Sequence, residues 1–141
     1  MSTETQLFEA SVDALEPIRD FVTEKSIAAG ADNKKNYMLC LAIDEIATNI
    51  MRYGYPRAGI SDGVINVSIT TGNGSLTVVL EDSAMPFNPL EQSVPTEEDM
   101  SKPLEERPIG GLGIMLAKQS VDEYKYEFIG NKNRNIFIIN I

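Results

Sequence analysis

Two kinds of hydrophobic spacing follow one another along this chain, and their order restricts the folds that it can adopt. Apolar residues at helical spacing predict one helix that starts at Asp13 and stops at Gly30, and a second from about Asn33 to Tyr53. Elsewhere, apolar and polar residues alternate over short stretches, as they do in half-buried β-strands. We predict strands at 6–10, 65–69, 76–80, 124–128 and 136–141, and a short third helix at 113–120.

This order of elements predicts an α+β fold, a two-layer sandwich with helices packed on one face of a mostly antiparallel sheet. Asp13 and Glu16 have the spacing of a capping box at the start of the first helix. Gly54 and Pro56 are expected to end the second helix. The last strand is apolar on both faces, so we expect it to lie inside the sheet. A chain of 141 residues has the length of one domain, and we assign residues 1–141 to a single domain.

The composition excludes several classes of site. The chain has no histidine and a single cysteine, Cys40, which excludes histidine-based catalysis, an intramolecular disulfide and a multi-cysteine zinc site. Its net charge of −9 disfavours binding to nucleic acid and to anionic membrane surfaces. No apolar run is long enough to span a bilayer, and no export signal is recognisable, so we expect a cytoplasmic protein.

The segment from Ser83 to Pro108 has an unusual composition. It contains five of the chain's seven prolines together with six acidic residues. A loop of this length inside a compact domain is usually functional or disordered. The composition alone leaves two interpretations open, a functional loop and a tolerated acidic insertion.

The second helix carries a polar stripe beside its apolar one. Glu45, Asn49 and Arg52 follow the spacing i, i+4, i+7, which places them within about 60° of one another around the helix axis. A carboxylate can act as a general base, and an amide oxygen is a suitable ligand for Mg²⁺. The same spacing also occurs on ordinary solvated helix faces, so the stripe taken alone does not distinguish a site for chemistry from a solvated face.

Two further stretches could carry chemistry. Asp82 ends a strand, where its carboxylate could accept a hydrogen bond from an exocyclic amine such as that of adenine, although a strand-ending aspartate before a turn is also common. Gly110, Gly111 and Gly113 open the third helix, whose free N–H groups and partial positive charge suit a phosphate, although they also suit a flexible hinge. The Lys-Ser/Thr pair of a Walker A loop is absent, which excludes that phosphate-binding loop. No strand precedes the glycines, which excludes a Rossmann-type loop.

The order of these stretches resembles the histidine-kinase-like ATPase superfamily (GHKL), which includes DNA gyrase and sensor histidine kinases. Asp44–Tyr55 is similar to the first motif of the family, Glu81–Pro89 to the second and Gly110–Gly113 to the third, and Val121–Tyr124 continues that pattern. The similarity extends over nearly the whole chain. Within the superfamily, the short form resembles the anti-sigma factor serine/threonine kinases of bacterial partner-switching systems, with a Bergerat-type ATP-binding fold.

The resemblance implies a role for each matching residue. Glu45 would be the general base, Asn49 would ligate Mg²⁺, Asp82 would bind the adenine amino group, and residues 83–110 would form an ATP lid. The attacking nucleophile in this family is a serine or threonine hydroxyl of an antagonist protein. The resemblance implies ATP contacts by Asn49, Arg52, Asp82, Ala84, Pro86, Gly110, Gly111, Leu112 and Gly113.

The implied function is that of a kinase that also sequesters a partner. Such a protein would hold a sigma factor inactive and phosphorylate a STAS-type antagonist, with a homodimer as the expected assembly. Ala84 stands where the second motif usually has glycine, and Tyr53 stands where many relatives have histidine. Ala84 favours an alternative, a regulator of the same fold that binds nucleotide, or has lost it, and acts only by sequestering a partner. A third interpretation is a small-molecule ATPase without a protein acceptor.

Overall fold

Five antiparallel strands form one sheet in the computed structural model, which describes residues 1–91, 96–103 and 111–141. The order of the strands in the sheet is β1-β2-β3-β5-β4. The last strand along the chain therefore lies between two others, as its apolar character predicts. The strands are β1 (Ser2–Glu9), β2 (Val64–Gly72), β3 (Ser75–Asp82), β4 (Glu123–Ile129) and β5 (Lys132–Asn140).

The described helices include three long ones, which pack on one face of the sheet. α1 contacts β2, α2 contacts β5, and α5 contacts β4, while α2 also packs against both α1 and α5. Short 3-10 turns cover Val12–Ala14 and Pro89–Glu91, and a π-helical turn covers Ile50–Gly54. The α-helices are α1 (Leu15–Ala28), α2 (Asn33–Asn49), α3 (Tyr55–Arg57), α4 (Glu97–Ser101) and α5 (Gly111–Ser120). The predicted α+β architecture is confirmed.

The strand pattern explains why the core lies on this face. Side chains of a strand point alternately to its two faces, and in β3 and β5 every second residue is buried beneath the helices. The β2–β3 turn has Asn73 and Gly74 at positive φ, the geometry of a tight hairpin that Asn-Gly favours. The largest fully buried side chains are Phe137, Ile18, Leu39, Ile43, Ile46, Ile65, Leu76, Leu80, Ile114, Val22, Val67 and Val78.

Two predictions for the start of the chain, a strand boundary and a helix cap, are wrong. The first strand begins at Ser2 rather than Gln6, because it pairs with β2 along its whole length even though nearly all its side chains are exposed. The capping box predicted at Asp13 does not form, since neither Ser11 before the 3-10 turn nor Ala14 before α1 makes a side-chain cap bond. The second helix, by contrast, begins with an Asp32 carboxylate that accepts from the Lys35 N–H at 2.8 Å.

The predicted end of the second helix is also wrong. The chain stays helical beyond Tyr53, through the π-helical turn and on to Arg57. Gly54 adopts right-handed helical angles (φ −59°, ψ −60°), and Pro56 lies in the first turn of α3. Among the described residues, no helix is long and apolar enough to cross a membrane.

Candidate functional site

A cavity of about 200 Å³ opens where the end of α2, the π-helical turn, the end of β3 and the strand β5 meet. Most of its lining is apolar, with a few polar groups that converge on it, which is typical of a small-molecule site. The lining residues are Ile46, Asn49, Ile50, Tyr53, Gly54, Arg57, Asp82, Ala84, Met85, Pro86, Phe87, Pro89, Asn133 and Asn135.

Asp82 is the acidic residue of this lining, with 2% of its surface exposed. Its Oδ1 accepts hydrogen bonds from the backbone N–H of Ala84 and from Nδ2 of Asn133, both at 2.9 Å. Its Oδ2 is buried and has no hydrogen-bond partner among the described residues. Burial raises the pKa of Asp82, and the bonds from Asn133 and Ala84 oppose that shift. The site therefore holds a fixed carboxylate with one oxygen left for a ligand that donates a hydrogen bond.

Asn133 fixes the loop that follows Asp82. Besides bonding Asp82, its Nδ2 donates to the carbonyls of Ala84 (3.4 Å) and Met85 (3.2 Å). Its Oδ1 accepts from the N–H of Phe87 at 3.2 Å. Asn133 precedes the strand predicted at 136–141, whereas in the structure it lies within β5, directly opposite Asp82 of β3. The alternating pattern of the strand could have been extended back to it, but nothing in the sequence pairs it with Asp82.

Tyr55 joins the helical side of the cavity to the strand side. Its hydroxyl donates to the carbonyl of Val64 and accepts from the N–H of Ser83, the residue after Asp82, at 3.0 Å. The side chain is 3% exposed, and burial raises its pKa. A Cβ on Gly63 would lie 2.5 Å from the Tyr55 ring, so glycine is required there for the ring to fit.

The three polar residues of the predicted helix stripe have different surroundings in the structure. Asn49 lines the cavity, and its Nδ2 is buried without a hydrogen-bond partner in the described part of the chain. Glu45 is half-buried and lies outside the cavity lining. Arg52 is exposed and also lies outside it, because the wider π-helical turn changes the angular spacing after Asn49. Arg57, which the sequence did not single out, lines the cavity and lies over the Tyr53 ring at 5.9 Å.

Ala84 and Pro86 both line the cavity. Ala84 is buried, and a Cβ built on Gly54 would lie 3.0 Å from its methyl carbon. The absence of a side chain at Gly54 therefore makes room for the methyl group of Ala84.

The glycine-rich stretch is described only in part. Gly110 lies outside the described residues, as do 92–95 and 104–109 of the predicted lid. Gly111 is the first residue of α5, and Leu112 is 52% exposed. Gly113 packs directly on the Glu45 carboxylate, so closely that a Cβ at this position would overlap its Oε2.

Residues 8–139 match the protein family described as "Histidine kinase-like ATPase domain". The chain belongs to this family. Membership implies that the domain binds ATP, and the five-stranded antiparallel sheet covered by helices agrees with the fold of the family. A comparison of the sequence with curated proteins finds no match.

Solved structures with the same fold resemble this histidine kinase-like ATPase domain at low sequence identity. One contains the RsbU and RsbW domains of Rv1364c from Mycobacterium tuberculosis, with a TM-score of 0.67 and 17% identity. It aligns with 99% of this chain, which spans only 32% of that structure's length. Another is the Acinetobacter baumannii histidine kinase AdeS, with a TM-score of 0.50, 14% identity, and coverage of 99% of this chain and 68% of that one.

Proposed function

We propose that this domain is an ATP-dependent serine/threonine protein kinase and anti-sigma factor that binds the adenine of ATP at Asp82. The observation that carries the proposal is the buried Oδ2 of Asp82, which has no partner among the described residues and belongs to a carboxylate lining a cavity of about 200 Å³. An adenine amino group would supply the missing donor. The bonds from Asn133 and Ala84 hold the carboxylate in place before any ligand arrives, which reduces the ordering that binding requires.

The residues present are suited to one magnesium ion that arrives with the nucleotide. The side chain of Asn49 lines the cavity, where its amide oxygen could ligate the ion, whereas its buried Nδ2 is a hydrogen-bond donor and would not. The described residues contain no cluster of three or more acidic or cysteine side chains that could hold a metal by themselves. Mg²⁺ commonly takes few protein ligands and completes its shell with phosphate oxygens and water, so Asn49 together with ATP is a sufficient set. When bound, the ion would neutralise the negative charge of the phosphates, because an acidic domain supplies little positive charge of its own.

Glu45 is the proposed general base. It lies one helical turn before Asn49 on α2, so the two side chains share one side of the helix. Its carboxylate would accept the proton of a serine or threonine hydroxyl as that oxygen attacks the terminal phosphate. Gly111, Leu112 and Gly113 at the start of α5 would bring backbone N–H groups to the phosphates, as would Gly110 before it.

The proposed partners are a sigma factor and a STAS-type antagonist, and the proposed location is the cytoplasm. The fold similarity to a structure that contains an RsbW domain supports this choice over other histidine kinase-like ATPases. The net charge of −9 suits a protein partner with basic patches. We also propose that the domain forms a homodimer.

The test compares two variants with the wild-type chain in ATP binding and in phosphate transfer to an antagonist captured from the native cell. Asp82→Asn places an amide opposite the adenine amino group and should weaken ATP binding about 10- to 150-fold, the range for a hydrogen bond to a charged group. Glu45→Ala should keep ATP affinity and lose phosphotransfer. Binding measured by calorimetry that is unchanged in Asp82→Asn would contradict the adenine assignment.

One observation favours a second candidate, a regulator that only sequesters its partner. Glu45 lies outside the cavity lining, and its carboxylate is packed against Gly113. For such a regulator, Glu45→Ala should change neither ATP binding nor partner binding, and the wild-type chain should leave the antagonist unphosphorylated. Mass spectrometry of the antagonist after incubation with Mg-ATP separates the two candidates.

A further inference from the structure

Two tyrosine–asparagine pairs link β4 to β5 beside the cavity. The hydroxyl of Tyr126 donates to Oδ1 of Asn133, and the hydroxyl of Tyr124 donates to Oδ1 of Asn135 at 2.5 Å. Both asparagines are 3% exposed and line the cavity. Tyr124 is itself held in place by stacking on Phe137, with ring centroids 4.9 Å apart and planes 7° apart.

The two asparagines differ in what their amide nitrogens do. Nδ2 of Asn133 donates to Asp82, Ala84 and Met85 and is fully used within the protein. Nδ2 of Asn135 makes no hydrogen bond with residues 1–91, 96–103 or 111–141. Because the Tyr124 hydroxyl binds the oxygen of this amide, the orientation of the amide is fixed and its nitrogen is left as a donor beside the cavity.

Strand register brings this donor near the free oxygen of Asp82. Asp82 of β3 lies opposite Asn133 of β5, and Asn135 is the next residue of β5 on the same buried face. Such diagonal neighbours are about 7–8 Å apart, close enough for two side chains to contact one small ring. The cavity therefore offers one acceptor, Oδ2 of Asp82, and one donor, Nδ2 of Asn135.

We propose that Asn135 is a specificity-determining residue whose Nδ2 donates a hydrogen bond to a ring nitrogen of the bound base. The inference rests on the proposed function, since it places a nucleotide in this cavity. A 6-aminopurine has an amino donor for Asp82 and unprotonated ring nitrogens for Asn135. Guanine has an oxygen in place of the 6-amino group, so it mismatches Asp82, and its protonated N1 would also mismatch Asn135 if N1 is the nitrogen that Asn135 contacts.

The experiment uses analogues of ATP in which one ring nitrogen is replaced by CH. Calorimetry would compare ATP with 1-deaza-, 3-deaza- and 7-deaza-ATP on the wild-type chain. We expect one of the three analogues to bind about 2- to 12-fold more weakly than ATP, the range for one neutral hydrogen bond. Asn135→Ala should bind ATP more weakly than the wild-type chain does, by a similar factor. This variant should bind that same analogue no more weakly than it binds ATP. Asn140→Ala, an exposed position at the far end of β5, is the matched control and should behave as wild type.

The outcomes distinguish this inference from the proposal on which it rests. If the wild-type chain binds all three analogues as tightly as ATP, Asn135 does not contact a ring nitrogen and the inference is overturned, whether or not Asn135→Ala folds. The inference is also overturned if Asn135→Ala binds the deaza analogue more weakly than ATP by the same factor as the wild-type chain does. If the wild-type chain binds no adenine nucleotide, the proposed function fails and takes this inference with it.

Discussion

At the scale of single residues, Gly54 and Ala84 form a matched pair. A Cβ on Gly54 would lie 3.0 Å from the Ala84 methyl carbon, although the negative φ of Gly54 is one that alanine adopts without strain. Gly54→Ala should therefore lower the free energy of unfolding by about 1–3 kcal/mol through overpacking, against a gain in helix propensity of at most about 1 kcal/mol. Ala84→Gly in the same chain should remove the overlap and restore stability.

Denaturant unfolding of the two single variants and the double variant measures this coupling. A coupling energy near zero, or a Gly54→Ala variant as stable as wild type, would show that the two positions do not share space. The result also bears on nucleotide binding, since a methyl group accommodated by Gly54 leaves the base more room than one turned into the cavity.

Asp82 provides a prediction about pH. Burial raises its pKa in the folded chain above the ordinary value of 3.8, so in the window between those two values the folded state binds more protons than the unfolded state. The Asp82 contribution to the free energy of unfolding therefore falls as pH rises through that window and stays low above it. Asp82→Asn lacks this contribution, so its stability relative to wild type should rise over the same window. Denaturant unfolding at a series of pH values measures this difference, and a relative stability that falls with pH would indicate a lowered pKa instead.

At the scale of elements, Tyr55 determines how α3 meets the ends of β2 and β3. Its hydroxyl bonds the carbonyl of Val64 and the N–H of Ser83. Tyr55→Phe keeps the ring against Gly63 but removes both bonds, which should lower the free energy of unfolding by about 1–3 kcal/mol. We also expect weaker ATP binding, because Ser83 directly follows the residue proposed to bind the base.

Thermal unfolding and calorimetry test both expectations on one preparation. Tyr37→Phe is the control, since Tyr37 lies on α2 with 65% of its surface exposed. Wild-type ATP affinity in a destabilised Tyr55→Phe variant would limit Tyr55 to a structural role.

At the scale of the whole molecule, the features that could be predicted are those encoded locally. The alternating stretches and the Asn73-Gly74 turn contain their own signals, and the element order follows from them. The continuation of α2 to Arg57 could not be predicted, because the π-helical turn depends on how Tyr55 packs against strands far along the chain. The hydrogen bond from Asn133 to Asp82 joins residues 51 positions apart, which no local pattern reports.

The net charge of the molecule leads to a prediction about its proposed antagonist. A phosphate on serine or threonine adds about −1.5 to −2 charges, and this chain carries −9. We expect the phosphorylated antagonist to bind more weakly than the unphosphorylated form at about 0.05 M salt. The difference should shrink at about 0.5 M salt, where screening acts over only a few ångströms. Calorimetry with both forms of an antagonist captured from the native cell measures it, and the unphosphorylated form is the matched control. Equal affinities at low salt would mean that repulsion between the phosphate and this acidic chain does not release the antagonist, and that any release must come from contacts within the interface itself.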